Sequence, residues 1–170
     1  MNAVLEMPLW LVEVSQRWEQ VLADPALKDL PFKIETNRSG QIVMSPAKNI
    51  DGAYQSSIAQ LLERSLGGRT ITECSIATPD GVKVADVAWA SEQFLQRAGF
   101  QDPYSVAPEI CVEIKSPSNA RAELLAKVRL YLDAGAKEVW LVDKDGRVTF
   151  HDQTGQIERS SYGVEVPQLK

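Results

Sequence analysis

Glu109-Ile110-Cys111-Val112-Glu113-Ile114-Lys115 is followed by Ser116-Pro117-Ser118, a stretch from Asn119 to Ala134, and Glu138-Val139-Trp140-Leu141-Val142-Asp143. This segment sets the centre of the sheet. The first run is β-branched and apolar, which marks a buried strand. The middle stretch carries Leu124, Leu125, Val128, Tyr131 and Leu132 at helical spacing. Ser118 suits the N-cap of this helix and Gly135 its end. The last run is apolar except at its ends. Strand, helix and strand in that order read as one crossover, hence a parallel pair.

Before this segment, Thr70–Ala77 and Val82–Trp89 flank the turn Thr78-Pro79-Asp80-Gly81 and read as a hairpin. Phe32–Glu35 and Gln41–Met44 read as a second, with Ser45-Pro46 breaking its latter strand. Helices are predicted over Leu9–Leu22, ended by Asp24-Pro25, and over Asp51–Leu66, ended by Gly67-Gly68. A short helix over Ser91–Ala98 is capped by Ser91. Asp145-Gly146 turns the chain into Val148–Asp152, and the tail after Thr154-Gly155 is weakly β. The predicted class is α/β (α+β): a mixed β-sheet core flanked by helices.

The 170 residues suit one domain, 1–170, whose first 30 form a helical extension. Hydrophobic residues make up 44% and charged residues 24%, an ordinary globular balance. A net charge of -5 argues against a general nucleic-acid binder, which needs positive surface. One histidine, His151, excludes a multi-histidine zinc site and reads as structural. Cys74 and Cys111 lack metal or redox spacing and read as buried thiols. The N-terminus lacks a basic n-region, and no apolar run approaches the ~18 residues of a membrane span. A soluble, cytoplasmic protein with no membrane partner is expected.

Two interruptions of apolar strands carry the chemistry: Asp86, and Glu113 with Lys115. A carboxylate within a buried strand costs several kcal/mol unless paired. Glu113 and Lys115 share a strand face, roughly 7 Å apart. If the Asp86 strand lies alongside, three charges converge. A divalent cation would relieve the repulsion of two carboxylates, and Mg²⁺ takes one or two such ligands with water and phosphate. A nearby lysine could orient or activate the attacking water. The structural alternative is a plain salt bridge between Lys115 and Asp86 or Glu113.

Val84-Ala85-Asp86-Val87-Ala88-Trp89, Pro108 to Ser118, Lys127-x-x-x-Tyr131-x-x-x-Gly135 and Glu138 to Asp143, in that order, resemble the Uma-type restriction endonuclease family. That family belongs to the PD-(D/E)XK nuclease superfamily. The hairpin Gly40 to Pro46 fits its N-terminal part, and the resemblance spans roughly Phe32 to Asp152. It implies a restriction-endonuclease-like mixed sheet with a nuclease core over about 32–152. It also implies a Mg²⁺- or Mn²⁺-dependent site that cleaves DNA.

Within that resemblance Asp86 and Glu113 are the metal-binding acids, with the Ile114 carbonyl as an extra ligand. Lys115 is the lysine of the acidic pair, and Lys127 is a helix lysine reaching the same site. Glu35 matches the family's N-terminal glutamate. Gln55 stands where the family usually has a histidine, and Ala85 where the superfamily has proline. Tyr131 shares the helix face of Lys127, as packing or as part of the site.

Lys115, Arg121, Lys127, Arg129 and Lys137 form a locally basic stretch, either phosphate-facing or an ordinary solvated helix face. Trp10, Trp18, Trp89 and Trp140 read as core or as oligomer contacts. DNA is the expected partner, bound weakly, and a homodimer or higher oligomer the expected assembly. A module on the same scaffold that binds or assembles without cleaving is the alternative.

Overall fold

The computed structural model describes residues 7–116 and 119–170. Helix α1 (Leu9–Ala23) leads into a hairpin of β1 (Phe32–Thr36) and β2 (Ile42–Pro46). Helix α2 (Asn49–Leu66), strands β3 (Arg69–Thr78) and β4 (Gly81–Ala90), and helix α3 (Glu92–Ala98) follow. Strand β5 (Ile110–Ile114), helix α4 (Arg121–Asp133) and strands β6 (Glu138–Val142), β7 (Val148–Asp152) and β8 (Gly155–Ile157) complete the order. Among the described residues, no helix is long and apolar enough to cross a membrane.

Strands β3 to β8 form one six-stranded sheet in sequence order. Among the described strands only the β5–β6 pair is parallel, with Ile110 opposite Glu138 and Glu113 opposite Leu141, and an isolated parallel bridge joins Ile76 to Tyr104. The crossover that joins this pair is α4, as its sequence pattern implies. The β1–β2 hairpin is a separate two-stranded sheet. Pro46 is the last residue of β2, opposite Phe32, and does not break the strand as expected. Proline is tolerated at the margin of so small a sheet, where no further strand needs its missing N–H.

Helices cover both faces. Val128, Tyr131 and Leu132 of α4 and Phe94 of α3 pack on Cys111 and Val139. Tyr54, Ile58 and Leu62 of α2 pack on Val112, Ile114 and Trp140. Residues on alternate sides of β5 thus serve different layers, as strand pleating requires. Ile58 and Leu62 are fully buried, each contributing roughly 1.5–3 kcal/mol. Leu125, expected inward, is 41% exposed, because it lies at the outer flank of α4. The cap expected at Ser118 lies outside the described residues, and α4 starts at Arg121. Trp18, Trp89 and Trp140 are buried, whereas Trp10 is partly exposed.

A third, smaller cluster fixes the hairpin. Trp18 and Val21 of α1, with Ile34 and Ile42, pack on Val82 and Val84. Two side-chain bonds reinforce it: Val82 N–H donates to Thr36 Oγ1 at 2.8 Å, and Val84 N–H donates to Glu35 Oε1 at 2.8 Å. The β3–β4 turn approaches so closely that a Cβ on Gly81 would stand 2.5 Å from the Thr36 carbonyl oxygen.

Strands β3 and β4 change facing midway. Ala85 belongs to the layer under α4, but so do Ala88 and Ala90, which strict alternation forbids. Likewise Cys74 and Ile76 face that layer together with Ile71. The ladder runs Thr72 to Val87 and Cys74 to Ala85 without a change of register, leaving Glu73 and Asp86 as the unpaired residues between. Glu73 takes a positive φ of 53°, which is uncommon for a residue with a side chain. Asp86 thus sits at a local break in the sheet, where it can leave the ladder and meet other groups.

Candidate nuclease site

Four elements bring six polar side chains to that break. Lys33 and Glu35 alternate along β1 and so project from one side of it. Asp86 comes from β4, Glu113 from the end of β5, and Lys127 and Tyr131 from one face of α4. Lys33 Nζ donates to Asp86 Oδ1 at 2.8 Å and to Glu113 Oε2 at 3.4 Å. Lys127 Nζ donates to Glu35 Oε1 at 2.7 Å and lies 3.4 Å from Glu113 Oε2. Tyr131 O–H donates to Glu113 Oε1 at 2.6 Å. The remaining oxygen of Asp86, Oδ2, accepts the Ile114 N–H at 2.6 Å. The group borders a pocket of about 150 Å³, to which Ile114, Gln55 and Glu73 also contribute.

The charges are tightly interlocked. Burial, then the Glu113 carboxylate, push the Asp86 carboxyl up to about 6, against the pull of Lys33. Burial also acts to raise Glu113, but Lys33, Lys127 and the Tyr131 hydroxyl outweigh it and hold Glu113 below its ordinary value. Lys127 is desolvated, which opposes its charge, yet Glu113 and Glu35 keep its pKa above the usual lysine value. The same balance, with Glu113 and Asp86 as main partners, raises Lys33. Burial and the neighbouring Glu113 keep Tyr131 a neutral donor.

The candidate residues fall into three groups. Asp86, Glu113, Lys127, Glu35 and Tyr131 are brought together. Gln55 stands at the pocket wall, where its amide donates to Glu73 Oε1 at 3.0 Å. Lys115 is not brought in. Strand β5 ends at Ile114, and the exposed Lys115 lines a different cleft, with Arg121 and His151, past the other flank of α4. Among the described residues Lys115 forms no ion pair with either carboxylate.

The position between the two acids is held by Lys33, which sequence reasoning missed. A lone lysine in a short, half-exposed hairpin strand reads as a solvated charge. Only the docking of β1 on β4 places it. Glu73 was missed as well, and no pattern in the sequence marks its left-handed backbone. The basic stretch also divides: Lys127 turns inward and Arg129 pairs with Asp133 at 2.9 Å.

The donor set fits a hard divalent cation. Asp86 and Glu113 offer two carboxylates with an ammonium already between them, so the site is built to hold positive charge at that point. Three carboxylates against two lysines leave an excess of negative charge. A residue's N–H and C=O leave a strand on one side, so the Ile114 carbonyl faces the Asp86 side with its N–H. Among the described residues no three acidic, histidine or cysteine side chains form a ready-made cage. Two carboxylates completed by water suit Mg²⁺.

The sequence profile of the Uma2 family, described as "Putative restriction endonuclease", matches residues 18–170, a span that contains every residue of this cluster. The chain belongs to the Uma2 family. No curated protein matches it. Its fold is that of a crystal structure from Anabaena variabilis described as a "putative nuclease belonging to DUF820". The two share 17% identity over 76% of this chain and 82% of that one, with a TM-score of 0.63. The DrdV–DNA complex is a looser likeness: 15% identity, 91% of this chain against 12% of that one, and a TM-score of 0.41. Membership in Uma2 agrees with the fold class and with the family to which the motifs point.

Proposed function

We propose that this Uma2 protein is a metal-dependent DNA endonuclease whose site is Asp86, Glu113, Lys33 and Lys127. One observation carries the reading: a cation sits between two buried carboxylates at the wall of an open pocket. Asp86 and Glu113, with the Ile114 carbonyl, would hold Mg²⁺ or Mn²⁺. When bound, the ion supplies Lewis-acid stabilisation of charge on the phosphate.

The chain's own residues do the rest. Lys33, tethered beside the acids, would orient the attacking water by donating a hydrogen bond to its oxygen; its ammonium stays protonated and takes no proton. Lys127, fixed by Glu35, steadies a non-bridging oxygen of the scissile phosphate. Tyr131 locks the rotamer of Glu113, and the Ile114 N–H locks that of Asp86. Water attacks phosphorus in line and gives up a proton to solvent, the bond to the leaving oxygen breaks, and that oxygen takes a proton from solvent, leaving a phosphate and a hydroxyl end. The role expected of Lys115 thus passes to Lys33. A pair of copies would cut both strands of a duplex, each subunit cutting one.

Purified protein with Mg²⁺ or Mn²⁺ is expected to nick supercoiled plasmid DNA, and Asp86→Ala to abolish nicking. Equal cutting by both proteins would overturn the proposal, since a contaminant would then be responsible. A second reading, binding or assembly without hydrolysis, is favoured by the same Lys33 contact, which satisfies both carboxylates without metal. Calorimetry separates the two readings: no heat with Mg²⁺ or Mn²⁺ selects the second.

A further inference from the structure

On the flank of α4 away from the carboxylates lies a cleft of about 420 Å³. Lys115, Arg121 and Arg147 reach it from three different segments: the end of β5, the start of α4 and the β6–β7 turn. Among the described residues none of the three forms an ion pair. The facing acid is Asp143, and its Oδ1 is already occupied by the N–H groups of Asp145 and Arg147, at 2.8 and 3.0 Å. Against these three cations the cleft carries one carboxylate, Asp143, so a net positive charge remains that an anion would offset. Two of the three are arginines, whose planar guanidinium groups match phosphate oxygens.

The wall supplies a second observation. His151 is only 6% exposed, and its Nδ1 has no hydrogen-bonding partner among the described residues. A buried polar nitrogen without a partner costs about 1–3 kcal/mol. Burial first, and then repulsion from Arg121, hold the His151 pKa below its ordinary value, against the opposing pull of the Val139 backbone.

We propose that this cleft is a phosphoryl-binding subsite, in which Lys115, Arg121 and Arg147 hold a phosphate group beside the cleavage site. The site rests on the nuclease reading for its purpose but not for its chemistry. Ile114 borders the carboxylate pocket and Lys115 borders this cleft, so consecutive residues at the end of β5 line the two. A strand cut at one could anchor a neighbouring or terminal phosphate in the other. Free phosphate offers the same chemistry.

His151 is the only histidine in the chain, so its imidazole resonances report on this wall alone. The whole protein, kept in EDTA to prevent cleavage, is titrated by NMR with three probes. These are inorganic phosphate, a 5′-phosphorylated single-stranded oligonucleotide and its unphosphorylated counterpart. Bound phosphate offsets the repulsion from Arg121 (Lys115, Arg147 and Asp143 being the other charges on the cleft). The His151 pKa should therefore rise by roughly half a unit or more. The double variant Arg121→Gln, Arg147→Gln should lose this response.

A response to inorganic phosphate identifies a free-anion site, and one to the phosphorylated oligonucleotide alone an end-binding site. Equal responses to both oligonucleotides identify backbone binding. No response to any probe, or the same response in a folded double variant, overturns the proposal. Asp86→Ala serves as the control, because it should keep the phosphate response whether or not the wild type cuts DNA. Failure of the nuclease reading is thereby distinguishable from failure of this one.

Discussion

Lys33 holds the position that the proposed divalent cation would take, so its removal is predicted to have opposite effects on stability and on metal affinity. Removing one partner from a buried ion pair leaves the other charge uncompensated, which typically costs 3–5 kcal/mol. Lys33→Met should therefore destabilise the protein by about that much in EDTA, because Asp86 and Glu113 are left facing each other. The same variant should bind Mg²⁺ more tightly than the wild type, since no ammonium must be displaced, while losing cleavage. Thermal melts with and without Mg²⁺, and calorimetry, test this. An affinity unchanged or weakened in a folded variant would show that lysine and metal do not share the site.

Strand β1 carries both Lys33 and Glu35, so the placement of one short hairpin sets half of the electrostatics of the pocket. Gly81 is the tightest point of that placement: its φ is 88° and a Cβ would meet the Thr36 backbone. Gly81→Ala should cost more than ~1 kcal/mol through the left-handed backbone alone, and should also push β1 away from β4. The expected result is a lowered melting temperature together with a weaker Mg²⁺ response. A variant that melts lower yet binds Mg²⁺ unchanged would separate the hairpin from the site.

This hairpin also shows where sequence reading succeeds and where it stops. The crossover pair was legible because apolar runs and helical spacing are local signals. Asp86 and Glu113 were legible because a charge inside an apolar strand stands out. Lys33 was not, since its burial comes from contact with β4, more than fifty residues further along the chain. Lys115 misled for a related reason. Alternation placed it on the correct face of the sheet, but β5 had already ended and its side chain turned past the other flank of α4.

Across the whole molecule, the cluster writes a signature into the dependence of stability on pH. Asp86 titrates at about 6 when folded, against 3.8 ordinarily, so the folded state binds a proton in that interval that the unfolded chain does not. Its contribution to stability therefore rises as the pH falls from neutrality towards 4, by up to roughly 3 kcal/mol. Glu113 works in the opposite sense, because its pKa is depressed: its stabilisation is present above its ordinary 4.5 and is lost as the pH falls through the lower folded value. Metal-free protein should thus be most stable on the acid side of neutrality, around pH 5. Asp86→Asn should flatten the slope between about pH 4 and 6, and Mg²⁺ should raise the wild-type melting temperature most at pH 7. Parallel melting curves for wild type and Asp86→Asn across that range would refute this account.

The cluster is assembled from residues scattered between Lys33 and Tyr131, tied together by contacts such as the one from Lys127 to Glu35, 92 positions apart. No fragment made early in synthesis contains both ends of that contact. The chain must emerge from the ribosome past α4 before the carboxylates and lysines can meet. The long-range packing that closes the fold is therefore also what assembles the site, and a growing or partly unfolded chain holds its acids and lysines apart.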